Sequence, residues 1–104
     1  MIKVKTVAYG STGQIIIPAM IREEYNIFLG DEIYLFYQSQ EILCSTFELP
    51  VCTKVRVQKR GHVQPPEWMR EDINADRFDV YMDLRENVFL FKSVKDCEQK
   101  KPLS

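Results

Sequence analysis

Alternation between apolar and polar residues is the dominant pattern along this chain. Residues 2–9 alternate loosely, and residues 32–37 and 54–58 alternate with a period of two. Successive side chains of a strand point to opposite faces, so this period predicts half-buried strands. Shorter apolar runs at 14–17 and 42–44 also predict strands, the first of them buried on both faces. The chain is therefore expected to be mostly β.

Two short helices are predicted, each beginning directly after a proline. Pro18 and Pro66 suit the first turn of a helix, where the missing amide donor would have no partner in any case. The first helix should run from about residue 19 to residue 25, with apolar residues four apart facing inward. Asn26 and Asn74 follow the helices, and both are expected to end them in the left-handed conformation.

The residues that punctuate the backbone recur at a spacing of 48 positions. Six identities fall at this one offset: Gly13/Gly61, Pro18/Pro66, Arg22/Arg70, Glu23/Glu71, Asn26/Asn74 and Asp31/Asp79. Together they indicate an internal duplication. Each copy is predicted to be strand, strand, short helix, strand, strand. At the turn before the third strand, the second copy has Phe78-Asp79 where the first copy has Gly30-Asp31. The turn of the second copy is therefore expected to lack a glycine.

The duplication predicts one domain made of two repeats. Repeat one covers residues 1–46, a linker covers 47–52, and repeat two covers 53–93. Units of this size are marginal alone, so the two should interlock around one core and close a small barrel over residues 1–93. Residues 94–104 are polar and are expected to form a frayed tail.

Several large apolar residues do not fit the inward alternation. Phe28, Tyr34 and Phe36 are expected to cover the ends of the barrel or to contact another chain. Met20 and Trp68 occupy equivalent helix positions, and core or interface packing is the expected role for both.

Composition excludes several classes of protein and of site. The chain is 45% hydrophobic and 28% charged, and it contains no apolar run typical of a signal peptide or a membrane span. Its three cysteines show no paired short spacing, which favours reduced thiols and a cytoplasmic location. His62 is the only histidine and has no partner set, so no metal site and no cofactor are expected. Nothing orients or activates Cys52 as a nucleophile, so we expect no enzyme activity.

The charge is unevenly distributed although the net charge is only −1. Lys54, Arg56, Lys59 and Arg60, with His62, form a basic segment that contains no acidic residue. Such a segment suits a DNA-binding face, on which cations replace the counterions of the phosphates. It also suits a solvated edge strand, where lysine prevents edge pairing, and charge alone favours this second interpretation.

The first copy resembles a known family. Its motif Gly13-Gln14-Ile15-Ile16-Ile17-Pro18, followed by Ile21-Arg22, Asn26 and Gly30-Asp31, is similar to that of the AbrB-like (SpoVT/AbrB) swapped-hairpin DNA-binding domains. The second copy matches more weakly. The resemblance implies tandem ββαββ repeats that form one pseudo-twofold swapped-hairpin barrel, with both halves in one chain as in the MraZ-like branch. It also implies a sequence-specific DNA-binding transcriptional regulator.

The resemblance places DNA contacts on the first strand, in the turn around the glycine and in the helix. The matching residues are Lys5, Gln14, Arg22, Lys54, Arg56, Lys59, Arg60, His62 and Arg70. The second copy holds most of this charge. For Arg22 and Arg70, pairing with nearby acidic residues is an equally good interpretation.

Double-stranded DNA is the partner that the resemblance implies first. A homo-oligomer and a toxin or other protein are further partners that it allows. The alternative function is an antitoxin or protein-interaction module that keeps the fold and binds DNA weakly or not at all. The acidic first half and the glutamates after both helix arginines favour this alternative, whereas the short tail disfavours a toxin clamp.

Overall fold

Eight strands and two short helices make up the part of the chain that is described. The structure is a computed structural model that describes residues 1–95 of the 104. The elements in chain order are β1 (Ile2–Ala8), β2 (Ile15–Ile16), α1 (Ala19–Glu24), β3 (Glu32–Gln38), β4 (Glu41–Ser45), β5 (Thr53–Arg56), a 3-10 turn (Lys59–Gly61), β6 (His62–Val63), α2 (Glu67–Asp72), β7 (Arg77–Asp83) and β8 (Val88–Val94). The prediction of a mostly β chain with two short helices is confirmed. Residues 96–104 of the predicted tail lie outside the described residues.

Six strands form one antiparallel sheet in the order β1-β7-β8-β4-β3-β5, and β2 pairs with β6 in a separate two-stranded ribbon. A closed barrel is not seen among residues 1–95, because β1 and β5 lie at opposite edges of the sheet and do not pair with each other. Each edge strand is followed by a turn that leads the chain out of the sheet. The strands after these turns, β2 and β6, then pair with each other.

The first strand of each repeat pairs with the hairpin of the other repeat. Val7 of β1 pairs with Phe78 of β7. Their counterparts Val55 and Ile33 pair in the same way between β5 and β3. The two hairpins meet along β4 and β8. This exchange relates the halves of the molecule by an approximate twofold axis, which passes through the β2–β6 ribbon and between β4 and β8.

The core lies between one face of the sheet and the two helices with the ribbon. Phe78, Phe89 and Phe91 of the sheet are fully buried. Ile21 of α1 and Met69 of α2 belong to the same buried cluster. Burial of large apolar side chains is the main favourable term in folding, so the two repeats stabilise each other through this cluster.

The predicted inward alternation is present in β3 and broken in β1. Ile33 and Leu35 of β3 are buried, as expected. In β1, Val4 packs against the core and so does Val7, although residues three apart in a regular strand face opposite sides. The pairing register of β1 shifts around Val4, and this irregularity turns the strand between the two valines.

The prediction that Phe78-Asp79 forms the turn before a strand is wrong. Both residues lie inside β7, where Phe78 is fully buried. Asp79 accepts a hydrogen bond from the Thr6 hydroxyl at 2.7 Å and pairs with Lys3 at 3.2 Å. These contacts hold the pKa of the Asp79 carboxyl below its usual value, the Thr6 hydrogen bond most of all. Repeat two is therefore shorter by three residues between its helix and its third strand, since Phe78 follows its true counterpart Ile33 by 45 residues and not 48.

The two asparagines behave differently. Asn26 has φ 55°, so the predicted left-handed end of α1 is confirmed. Asn74 is not left-handed, and the chain already becomes extended at Ile73. The end of α2 is held by Gln40 instead. Its side-chain amide donates to Asp72 O at 2.6 Å, which satisfies a carbonyl that the end of the helix leaves unpaired, and accepts from Asn74 N at 2.7 Å just beyond the helix.

Tyr37 joins α2 to the sheet, and its hydroxyl is expected to ionise late. It donates a hydrogen bond of 2.7 Å to Asp72. Burial, followed by this bond and the negative charge, raises the pKa of Tyr37 from 10.0 to about 12. The unfolded state therefore loses its proton first, and the stability that Tyr37 contributes is complete below pH 10 and is lost as the pH rises toward 12.

Titration of the Tyr37 ring by NMR checks this expectation. Asp72→Asn removes the negative charge but keeps an oxygen acceptor, so it should lower the pKa of Tyr37. A Tyr37 pKa that Asp72→Asn leaves unchanged would contradict the contribution assigned to Asp72.

No helix among residues 1–95 is long and apolar enough to cross a membrane.

Candidate nucleic-acid interface

The β2–β6 ribbon and the two turns that lead into it form the candidate interface. Repeat one enters β2 through residues 10–13, and repeat two enters β6 through residues 58–61. The pairs Ile15–Val63 and Ile16–His62 join the strands. Ile17 N also donates to Gly61 O at 2.9 Å, which extends the contact into the second turn. The turns of both repeats are therefore held on one small ribbon.

The turn of repeat two is strongly basic. Lys59 and Arg60 are exposed at its tip, and Arg60 is in the left-handed region with φ 60°. Within residues 1–95 neither side chain makes an ion pair. The turn of repeat one carries the uncharged residues Ser11 and Thr12 at the corresponding place.

Polar side chains line the ribbon between the two turns. Gln14 Nε2 donates to Gln58 Oε1 at 3.0 Å, which links one repeat to the other. Gln64 Nε2 donates to Thr12 O at 3.4 Å. The His62 Nδ1 atom lies 2.9 Å from Lys59 O, and because a carbonyl oxygen only accepts, Nδ1 carries the proton and donates it. These groups present amide and imidazole atoms beside the cations.

Each helix arginine is clamped over the turn glycine of the other repeat. Arg22 Nε donates to Ile17 O at 3.0 Å, and its side chain covers Gly61. Arg70 Nε donates to Pro65 O at 2.8 Å, and its side chain covers Gly13. A Cβ atom on Gly13 would lie 2.5 Å from Arg70 Cδ, so the glycine is required for this approach.

Two interpretations were open for these arginines, DNA contact and pairing with nearby acidic residues, and their contacts bear on the second. Neither Arg22 nor Arg70 makes an ion pair within residues 1–95, so pairing with nearby acidic residues is not their role there. Because the bonds described use only Nε, the two Nη groups of each guanidinium remain available for an external anion.

Lys54 and Arg56 are neutralised in part by Glu32. Lys54 Nζ lies 3.7 Å and Arg56 Nη2 lies 3.5 Å from Glu32 Oε2 across the β5–β3 pair. All three side chains are well exposed, so each ion pair contributes about 0 to 1 kcal/mol. Arg56 also donates to Gly30 O at 3.1 Å. The edge-strand interpretation therefore describes these two residues well.

Of the nine residues predicted from the sequence to contact DNA, five lie together around the ribbon and four lie elsewhere. Gln14, Arg22, Lys59, Arg60 and His62 surround the ribbon. Arg70 lies at the other turn, across Gly13. The two cations of β5 are paired with Glu32, and Lys5 lies on β1 at the opposite edge of the sheet. The charge is consequently concentrated at one turn and does not spread evenly over both repeats.

Sequence reasoning missed Gln58 and Gln64. Gln58 was predicted only as the last residue of the alternating segment 54–58. The sequence feature that could have indicated them is their position, because Gln58 and Gln64 directly flank residues 59–63, which contain the basic turn and β6. Their meeting with Gln14 and Thr12 depends on the strand exchange, which a single repeat does not reveal.

An apolar tip borders the basic turn. Phe28 and Leu29 are 66% and 70% exposed, although the loop that carries them is well bonded. Gly30 N donates to Val57 O at 2.8 Å, and Phe28 N donates to the Asp31 carboxylate at 2.8 Å. The shorter connection of repeat two has no such tip. The same end of the molecule therefore carries both the excess charge and the apolar tip.

Other chemistry is sparse in the described part of the chain. No cluster of three or more metal-ligating side chains occurs within residues 1–95. Cys44 is buried, and burial raises the pKa of its thiol. Cys52 is a half-buried free thiol. Cys97 lies outside the described residues.

Comparison with protein-family models, with curated proteins and with solved structures found no match to this chain.

Proposed function

We propose that this protein is a sequence-specific DNA-binding transcriptional regulator. The observation that carries the proposal is the basic turn. Lys59 and Arg60 are exposed and have no acidic partner among residues 1–95. They lie next to the amide and imidazole groups of Gln14, Gln58 and His62. Uncompensated cations supply affinity for phosphates by releasing counterions, and neighbouring polar groups supply the contacts that distinguish bases.

The roles of the residues follow from their chemistry. Lys59, Arg60 and the Nη groups of Arg22 bind backbone phosphates and set the position of the protein. Gln14 and Gln58 present amides, which are the groups that recognise the N6 and N7 edge of adenine. Their mutual hydrogen bond holds both amides in place before binding, which lowers the entropy lost on association.

The fold that accompanies this proposal is a tandem swapped-hairpin unit, a pseudodimer within one chain. Two features support it: β1 and β5 pair with the hairpins of the opposite repeats, and each helix arginine covers the glycine of the opposite turn. A pseudo-twofold protein suits duplex DNA, whose backbone has local twofold symmetry. The basic turn belongs to one repeat only, so the contacts with the two halves of a DNA site are unequal.

The test is a titration of a random double-stranded oligonucleotide library, read by fluorescence anisotropy at several salt concentrations and followed by selection of the tightest sequences. Contact with three or four phosphates predicts a slope of log K against log salt of about −3 to −4. Selection should enrich a defined sequence. Absence of binding at low salt, or binding that salt does not weaken, would contradict the proposal.

A second function, protein binding without DNA, is favoured by one observation. The face of the sheet turned away from the helices carries a row of apolar side chains. An antitoxin or assembly module would use such a face for its partner. A chain that forms a stable protein complex and fails the DNA titration would support this function.

A further inference from the structure

The outer face of the sheet carries a continuous row of apolar residues across its four central strands. Phe36 pairs with Leu43, Leu43 pairs with Leu90, and Leu90 pairs with Tyr81. Directly opposite residues on one face of a sheet lie about 5 Å apart, so the four side chains form one surface. All four are only partly buried.

Further apolar residues widen this surface. Val51 of the linker lines a pocket with Phe36 and Leu43, and Met1 lines a second pocket with the same two residues. Val51 is 70% exposed and Met1 is 59% exposed. Contiguous exposed apolar surface of this kind marks an interaction site more often than an ordinary surface.

The row nearly repeats itself under the internal twofold axis. That axis exchanges Leu43 with Leu90 and Phe36 with Tyr81, so each half of the row presents a leucine and an aromatic residue. A twofold interface between identical chains requires one patch that is complementary to itself. This row meets that requirement for apolar contacts.

A charged row runs beside the apolar row. Glu41 of β4 pairs with Lys92 of β8, and Lys92 pairs with Asp79 of β7. A second sheet laid face to face about a twofold axis parallel to β4 and β8 would exchange these strands. Glu41 of each copy would then lie opposite Lys92 of the other copy. The same operation places Leu43 opposite Leu90 and Phe36 opposite Tyr81, so no like charges meet.

We infer that two copies of this chain associate face to face through the outer surface of the sheet, with Leu43 and Leu90 at the centre. Aligned sheets pack about 10 Å apart, which brings the two apolar rows into contact. The association leaves the β2–β6 ribbon of each copy uncovered, because the ribbon packs on the opposite face of the sheet. The inference does not depend on DNA binding.

Analytical ultracentrifugation of the full chain over a wide concentration range tests the association. The unaltered protein should form a reversible dimer. Leu90→Arg should weaken the dimer by a factor of a hundred or more, on the order expected for a charge placed at the centre of an apolar interface. Leu84→Arg is the matched control, since Leu84 is an exposed leucine in the β7–β8 turn, away from the row, and this change should leave the dimer intact.

The charged row tests the orientation. Glu41→Lys and Lys92→Glu should each weaken the dimer, because each places like charges opposite one another across the axis. The double exchange Glu41→Lys/Lys92→Glu should restore it. These two residues are also neighbours within one chain, so the unfolding midpoint of each variant is measured at a concentration at which all are monomers.

Each outcome of these experiments either supports or overturns the proposed dimer. Weakened single variants, a restored double variant and an unaffected Leu84→Arg support the inference. A protein that is monomeric at every concentration overturns it. A dimer that Leu90→Arg and the charge variants leave unchanged also overturns it, because the interface must then lie elsewhere. If Leu90→Arg does not fold, the charge exchange alone decides.

Discussion

Replacing Lys59 by Ala and Arg60 by Asn together is expected to lower DNA affinity about a hundredfold at low salt. Loss of each phosphate contact should cost on the order of tenfold, or about 1.4 kcal/mol. The slope of log K against log salt should become shallower by about 2. Asn is chosen at position 60 because Arg60 has φ 60°, and Asn tolerates this left-handed conformation better than Ala.

Controls separate this effect from loss of net charge. Arg85 is an exposed arginine in the β7–β8 turn, so Arg85→Ala removes the same charge away from the ribbon. It should leave the affinity and the salt slope nearly unchanged, whereas Arg60→Asn alone should reduce the slope by about 1. Equal losses from both single variants would show that DNA senses only the overall charge, and the proposed interface would be wrong.

Local patterns made most of the elements predictable. The period of two located β3 and β5, and the prolines located the starts of α1 and α2 within a residue. These signals are local, because they depend on which face a side chain occupies and on which donors a proline lacks. The left-handed Asn26 was predictable for the same reason.

The misjudged features all depend on contacts between the repeats. A constant offset of 48 led to the wrong position for Asp79, because identity of residue type does not show where a strand begins. Phe78 is drawn into β7 by burial in the shared core, and this tertiary gain outweighs the local turn signal. Asn74 is not left-handed, and Gln40, from the hairpin of the other repeat, bonds to both Asp72 and Asn74 at the end of α2.

In the candidate site, too, features visible in the local sequence were predictable and contacts between distant residues were not. The basic turn was predictable, since four cations without acidic neighbours are visible in the sequence. The neutralisation of Arg56 by Glu32 was not, because these residues are 24 positions apart and meet only through the β5–β3 register. The position of Arg22 over Gly61 likewise arises from strand exchange, which places the helix of one repeat on the turn of the other.

That clamp predicts a large effect on stability. Gly61→Ala is expected to lower the free energy of unfolding by about 3 to 4 kcal/mol, the sum of roughly 1 to 2 kcal/mol for the left-handed backbone at φ +79° and about 2 kcal/mol for overpacking. A Cβ atom there would lie 2.6 Å from Arg22 Nε and 2.8 Å from Ile17 O. Urea unfolding followed by circular dichroism measures the loss.

Gly30→Ala isolates the backbone part of this cost. Gly30 has φ +89°, but a Cβ atom added there would meet no side chain or distant backbone within 4 Å, so the change should cost only about 1 to 2 kcal/mol. A loss as large as that of Gly61→Ala would mean that the backbone conformation alone sets the cost, and the clamp would contribute nothing.

Removal of each arginine should distinguish the two clamps. Gly13 is opposed only by the side chain of Arg70, so in an Arg70→Ala background Gly13→Ala should cost no more than Gly30→Ala. Gly61 is also opposed by the carbonyl oxygen of Ile17, which receives the Arg22 bond and belongs to the backbone beside the ribbon. In an Arg22→Ala background, Gly61→Ala should therefore still cost more than Gly30→Ala. Equal relief at both glycines in these double-mutant cycles would show that side chains alone create the crowding.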